Sequence, residues 1–313
     1  MRFWRKLPFV VRAVIVGLFL STIGHAPPGA FYFANLKLWP QVPWSLAFVA
    51  LYLWLLWEYL DGRWWPASTS DSRRRDLRGG PLPPRVWRWA LIAGGLAMSS
   101  VGALHFVLAR IESIQYEGFY RLFEMNIPPL TLAAVIIGAS AVAGLVEEAA
   151  FRGYMQTPIE RRHGLLVAIL VPSTLFVFAH FTDVNVTMSF SRVFFILAAA
   201  VNYAMLTHLT GSIRPGIVLH ATGDAFGIGL LWLLWRLTGP LSSRPMGWAA
   251  ASRDPIFWLY CVEAALLGAA SIWAYFRLAG LRNNRRHALS SPIVVVADRH
   301  ARSAPIAAEQ HHQ

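Results

Sequence analysis

Residues 144–156 read Gly-Leu-Val-Glu-Glu-Ala-Ala-Phe-Arg-Gly-Tyr-Met-Gln, which places Glu147 and Glu148 side by side in an apolar stretch, with Arg152 four residues after the second. Glu148 and Arg152 share a helix face and can form an ion pair that lowers the cost of burying both. Glu147 points about 100° away on a 3.6-residue turn and has no local cation. One carboxylate is thus expected to be structural and the other available for chemistry. Two further pairs keep the same spacing, Phe176 with His180 and His220 with Asp224, each on one helix face. A glutamate near two histidines and another acid suits water activation and proton transfer. The same groups are ordinary zinc ligands. On residue chemistry alone three readings fit: a hydrolase, a proton relay in a transporter, and a scaffold whose packed polar residues bridge helices.

The elements that must carry these groups are membrane helices. The 313 residues are 56% hydrophobic and 14% charged, with 14 Trp and a mean hydropathy of +0.46. A soluble domain is roughly one quarter charged, so a soluble enzyme, a disordered chain and a secreted disulfide scaffold are excluded. The single cysteine, Cys261, lies in an apolar stretch and rules out both an intramolecular disulfide and a thiolate metal cage. A spanning helix needs about 20 mostly apolar residues, and about eight stretches approach that length. They fall at 8–24, 42–60, 87–109, 129–151, 165–181, 190–209, 215–235 and 256–278. The expected fold is an all-α polytopic transmembrane bundle.

Ionisable groups inside such spans are expensive, so each is a functional candidate. Counted from the cytoplasmic ends, Glu147 lies about ten residues deep, His220 and Asp224 about seven to eleven, and His180 about fifteen, at ~1.5 Å per residue. Spans four, five and seven can therefore bring them together. Glu58 and His208 fall near span ends, where water reaches them. His105 reads as an interhelical hydrogen-bonding residue and Glu263 as a member of a structural pair. Gly138, Ala139, Ser140, Ala143 and Gly144 read as small residues that let neighbours approach the fourth span.

The 28 Lys and Arg against 16 Asp and Glu give +12, and the cations cluster in alternate loops. The head, the segment 61–88 with Arg73, Arg74 and Arg75, the loop 152–164, Arg214 and the tail fall on one side. Lys37, Arg110, Arg121, Arg192, Arg236, Arg244 and Arg253 fall on the other. The positive-inside rule puts both termini in the cytoplasm, in a multi-pass protein of the cell (inner) membrane. The charge is then topological: membrane lipids are partners and nucleic acid is not. The N-terminus has the basic head and apolar middle of a secretory signal, but Pro27 and Pro28 follow the apparent cleavage site, and the reading adopted is an uncleaved first span. Trp39, Trp44, Trp87 and Trp89 read as interfacial anchors. Segment 66–84, rich in Pro, Ser, Gly and Arg, reads as a mobile loop, and the tail from 283 as poorly ordered. This divides the chain into an N-terminal region 1–128 with its basic loop 61–86, a core 129–235, a last span with flanks 236–282, and a tail 283–313. No internal repeat is seen, which weakens an inverted-repeat transporter.

Glu147-Glu148-x-x-x-Arg152, Phe176-x-x-x-His180 and His220-x-x-x-Asp224, in that order on successive spans, resemble the CPBP intramembrane proteases, the family of the type II CAAX prenyl endopeptidases and of bacteriocin-processing or immunity proteins. The resemblance covers about 129–235. It implies an intramembrane endopeptidase acting on a peptide or protein substrate, in which Glu147 activates water with help from His180. Glu148 and Arg152 would order the site, and Phe176 would pack beside His180. His220 and residue 224 would steady the oxyanion or hold the water. The family most often has Asn where this chain has Asp224; an amide donates to an oxyanion, whereas an ionised carboxylate repels it. The family is described both as metalloproteases and as metal-free glutamate proteases. The resemblance thus leaves open a divalent metal such as zinc, whose ligands would be Glu147, His180, His220 and Asp224. A non-proteolytic scaffold or immunity protein on the same fold is the rival reading, with a proton-coupled transporter behind it. Other intramembrane proteases fit less well: there is no His-Glu-x-x-His, Ala221 replaces the first glycine of Gly-x-Gly-Asp, and Ala141 replaces the last glycine of Gly-x-Ser-Gly.

Overall fold

The computed structural model describes residues 4, 6–112, 122–181, 189–239 and 245–290, with side chains to 283. The described residues are helical, with no strand among them. The elements are α1 (Phe9–Leu38), α2 (Ser45–Leu60), a short 3₁₀ turn (Ala67–Thr69), α3 (Ser70–Leu77), α4 (Pro84–Ile111), α5 (Pro129–Glu147), a π-helical segment (Glu148–Gln156), α6 (Thr157–His180), α7 (Phe190–Thr210), α8 (Arg214–Thr238), a single turn α9 (Trp248–Ala251) and α10 (Pro255–Ser290). Among the described residues six helical runs are long and apolar enough to cross a membrane, with Pro129–His180 counted as one; α2, at 16 residues, is shorter. The outward faces carry large apolar side chains, among them Phe19, Leu130, Leu170, Phe226, Leu266 and Phe276. Solvent-facing surfaces of soluble domains do not expose such belts, and the chain is an integral membrane protein.

Three sequence expectations are corrected. The first span does not stop near residue 24. Helix α1 runs through Pro27 and Pro28 to Leu38, and Asn35 pins its end by donating to the carbonyls of Trp39 and Val42 while accepting from Ser45. The prolines remove two backbone donors, and Tyr52 on α2 donates to the carbonyl of Ile23 that Pro27 leaves free. Second, 152–164 is no loop: helix continues past Arg152 and breaks at Gly164, whose φ of +80° only glycine adopts without strain. Arg152, assigned to the cytoplasmic cations by its place in the sequence, is instead buried.

Third, segment 66–84 is folded. Arg73 is buried and its guanidinium donates to the carbonyls of Tyr59, Trp64 and Pro66. Leu77 is fully buried in the main core beside Phe151, Met155, Ile159 and Ile213. Arg78 closes α3 in the left-handed conformation and pairs with Glu160 at 2.7 Å. Glu160 also accepts from Nδ1 of His208 at 2.7 Å, and Nη1 of Arg282 contacts Nε2 of His208 at 2.6 Å. The basic stretch is thereby fastened to α6, α7 and α10. At the tail, α10 extends to Ser290; the tail beyond it lies outside the described residues, as do Arg121 and Arg244.

The small residues of α5 behave as expected. A Cβ on Gly144 would lie 2.8 Å from Ala221 Cβ and from the carbonyl of Ile217 on α8, and one on Gly138 would lie 2.5 Å from the hydroxyl of Tyr32 on α1. The backbone of α8 thus comes directly against α5 at Gly144, while Gly138 makes room for the Tyr32 side chain of α1. His105 bridges helices: its Nδ1 lies 3.4 Å from the carbonyl of Ser191 on α7.

Candidate active site

The site forms where α1, α5, the π-helical segment, α6, α7 and α8 converge. Its sealed end is the expected ion pair: Nη1 of Arg152 lies 3.0 Å from Oε1 of Glu148, with side-chain exposures of 1% and 0%. The π-helical segment that carries them is fixed against α7 by two buried donors one turn apart, Nη2 of Arg152 to the carbonyl of Ala200 and Nε2 of Gln156 to the carbonyl of Ala204. Widened helical turns of this kind recur at functional sites because they re-aim side chains. The guanidinium also lies over Phe176, 4.5 Å from its centroid, and near Tyr203 at 5.4 Å. These π faces supply negative potential to a cation that has left water. Opposite, Gly216 on α8 leaves room for the carboxylate: a Cβ there would stand 2.7 Å from Oε2 of Glu148.

Glu148 also engages His220, with Oε1 3.1 Å from Nδ1. A carboxylate accepts, so this contact places a proton on Nδ1 and fixes the ring's orientation. Tyr203 stacks on the ring at 5.1 Å and 18°. Nε2 then faces Oε2 of Glu147 at 3.7 Å and Oδ2 of Asp224 at 3.6 Å, just beyond direct hydrogen-bond distance. Exposure grows outward, from 0% at Glu148 and 14% at Glu147 to 42% at Asp224. The two adjacent glutamates therefore differ as their spacing implied, one sealed against a cation and one at the edge of the accessible space.

His180 closes the group from α6. Its Nδ1 lies 2.7 Å from the carbonyl of Phe176, four residues earlier, so Nδ1 carries the proton and Nε2 is the nitrogen left for chemistry. Phe176 packs against the ring at 4.6 Å, as the resemblance implied. His180 is within coulombic reach of both Glu147 and Asp224.

Glu147 has no cation near it in sequence, but it does have a side-chain partner from another helix. Nε2 of His25, on α1, lies 3.4 Å from its Oε1. Sequence reasoning missed His25 because the first span was ended one residue before it. The rule that an ionisable group in a span is a candidate would have found it had the helix been extended through the prolines. Tyr203, Gln156 and Gly216 were also missed, and their sequence surroundings carry no signal for them.

Whether these residues suit a metal can be asked of their geometry. Zinc bound by imidazole and carboxylate needs three or four donors converging at about 2.0–2.2 Å. Among the described residues no three His, Cys, Asp or Glu side chains converge in that way. Nδ1 of His180 and of His220 are taken by Phe176 and Glu148, so only their Nε2 atoms are left as donors to a metal. The ligand set expected of Glu147, His180, His220 and Asp224 is not assembled, and no step below passes through a metal.

Fold and site together define a helical membrane protein with a glutamate/histidine centre held by a buried Glu-Arg pair. A family model described as Rce1-like, type II CAAX prenyl endopeptidase, matches residues 129–226, which include every site residue from Glu147 to Asp224. The match supports membership of the CPBP family and, since that family is one of proteases, a peptide hydrolase. No match is found among curated proteins or solved structures.

Proposed function

We propose that the chain is an intramembrane endopeptidase of the CPBP/CAAX-protease type, hydrolysing peptide bonds with water activated by Glu147 in a cavity open toward the cytoplasm. The observation that carries this reading is the placement of Oε2 of Glu147 opposite Nε2 of His220, while the adjacent Glu148 is sealed against Arg152. Oε2 takes a proton from water as the oxygen attacks the substrate carbonyl carbon. Nε2–H of His220 donates to the developing oxyanion, and its Nδ1–H to Glu148 keeps the ring aimed. Nε2 of His180 accepts a hydrogen bond from the same water. Collapse of the tetrahedral intermediate breaks the C–N bond, and the proton held on Glu147 passes to the leaving amine. Asp224, as a carboxylate, would oppose an oxyanion, so its role is to orient His220 or the water. The distribution of cations supports a cytoplasmic side for both termini and for the cavity mouth. The family description supports a substrate of the prenylated CAAX class.

The test does not depend on knowing the substrate. Membranes holding the wild type or the Glu147→Gln chain at equal abundance are compared by mass spectrometry of new protein termini. Termini present with the wild type and absent with the variant are expected. Identical sets from the two would refute the reading.

A further inference from the structure

His25 lies outside the region matched by the family model, on a helix that sequence reasoning placed apart from the site, yet it contacts Glu147. Three observations make the contact a built one. Nδ1 of His25 lies 2.8 Å from the carbonyl of Ser21, four residues earlier on its own helix, the device that also orients His180 on Phe176. A ring tied at Nδ1 to a carbonyl can offer only Nε2 outward. Next, α1 comes in at backbone distance: a Cβ on Gly24 would lie 2.5 Å from Cγ1 of Val146, and one on Gly17 would lie 3.0 Å from the carbonyl of Ala150. Val146 is the neighbour of Glu147, so the residue before His25 packs on the residue before Glu147. Finally, the two carboxylate oxygens are divided, Oε1 toward His25 and Oε2 toward His220.

We propose that His25 is a positioning residue for Glu147: with both ring nitrogens protonated, Nδ1–H donates to the Ser21 carbonyl and Nε2–H holds Oε1, so that Oε2 is presented to the reacting water. The inference rests on the hydrolase reading above and adds a residue to that site. The contact of 3.4 Å is long for a hydrogen bond and is of the kind that tightens in the substrate complex. Around this pair stand His220 and Asp224 from α8 and His180 from α6.

The test uses the full chain in detergent and an internally quenched farnesylated peptide ending in a CAAX sequence. A His25→Ala variant is expected to lose ~10- to 100-fold in kcat with KM little changed, the scale of a misplaced reacting group. Glutamine places an amide N–H where Nε2 stands, so His25→Gln should recover most of the loss. Asparagine reaches only the Nδ1 position and should behave like alanine. Rescue by Gln and not by Asn distinguishes positioning from mere packing, and thermal unfolding of all three variants controls for the fold. Wild-type turnover in His25→Ala, or a Gln variant no better than Asn, would overturn the proposal. Glu147→Gln is run alongside: turnover by that variant would sink the hydrolase reading itself, whereas its inactivity beside a fully active His25→Ala would sink only the role of His25.

Discussion

Arg152 and Glu148 form an ion pair at 3.0 Å in which neither side chain has appreciable contact with solvent. Removing one partner strands the other charge, which typically costs about 3–5 kcal/mol, whereas removing both avoids that penalty. Arg152→Leu is therefore expected to lower the thermal unfolding temperature sharply and to reduce the folded yield. Glu148→Leu with Arg152→Leu should be less damaged than the sum of the single changes, as a double-mutant cycle would read directly. Additive effects would mean that the pair does not stabilise the bundle as a unit.

Gly216 and Gly223 lie on the same helix, but only the first faces a carboxylate. A Cβ at 216 would stand 2.7 Å from Oε2 of Glu148, which Arg152 and His220 prevent from moving aside, whereas a Cβ at 223 would meet nothing within 4 Å. Gly216→Ala is expected to cost at least ~10-fold in turnover, through a displaced Glu148 and His220. Gly223→Ala should remain close to the wild type. Initial rates on the CAAX peptide, with unfolding temperatures measured in parallel, separate the two.

Asp224 occupies the position where the family usually carries Asn, and Oδ2 lies 3.6 Å from Nε2 of His220. An amide of the same shape can donate to an oxyanion without opposing its charge. Asp224→Asn should therefore retain activity within about tenfold of the wild type or exceed it, while Asp224→Ala, which removes the group that orients His220 or the water, falls further, by the ~10²-fold that a misplaced reacting group costs. Equal loss in both variants would show that the carboxylate itself is needed.

The ion pair, the four-residue couples and the bundle were legible in the sequence because each rests on helical periodicity or on the cost of charge in lipid. Contacts between distant helices were not. Glu147 looked unpartnered because its contact, His25, comes from a helix separated from it by α2, α3 and α4, at the point where Pro27 and Pro28 make the first span look finished. Arg73 looked like one more topological cation because nothing local shows that three carbonyls at the end of α2 and in the following turn converge on it. The break after α5 was placed near residue 151, whereas packing of the π-helical segment on α7 carries the helix to Gly164. The aromatic wall of Tyr203 and Phe176 likewise depends on how α6, α7 and α8 assemble.

Glu112, just past α4, offers a test outside the membrane. Partial burial alone would raise its pKa, but the backbone N–H groups of Ser191 and Phe190 donate to its carboxylate and bring it below the ordinary 4.5. These donors belong to the first turn of α7, where a negative charge is favoured. With the folded value below the unfolded one, the stabilisation is present above the unfolded pKa and is lost as pH falls through the folded value. Glu112→Gln should unfold at a slightly lower temperature than the wild type at pH 7, and the gap should close as pH drops below 4.5. A gap that persists there would assign the effect to something other than the charge.

The central claim is that Glu147 activates water. The direct measurement is the cleavage rate of the farnesylated CAAX peptide by purified wild type and Glu147→Gln, in the same detergent and with matched unfolding temperatures. Glutamine keeps the shape and removes the proton acceptor, so the rate should fall by ~10²- to 10⁴-fold, the usual contribution of a general base. Cleavage by Glu147→Gln within a few-fold of the wild type would contradict the claim.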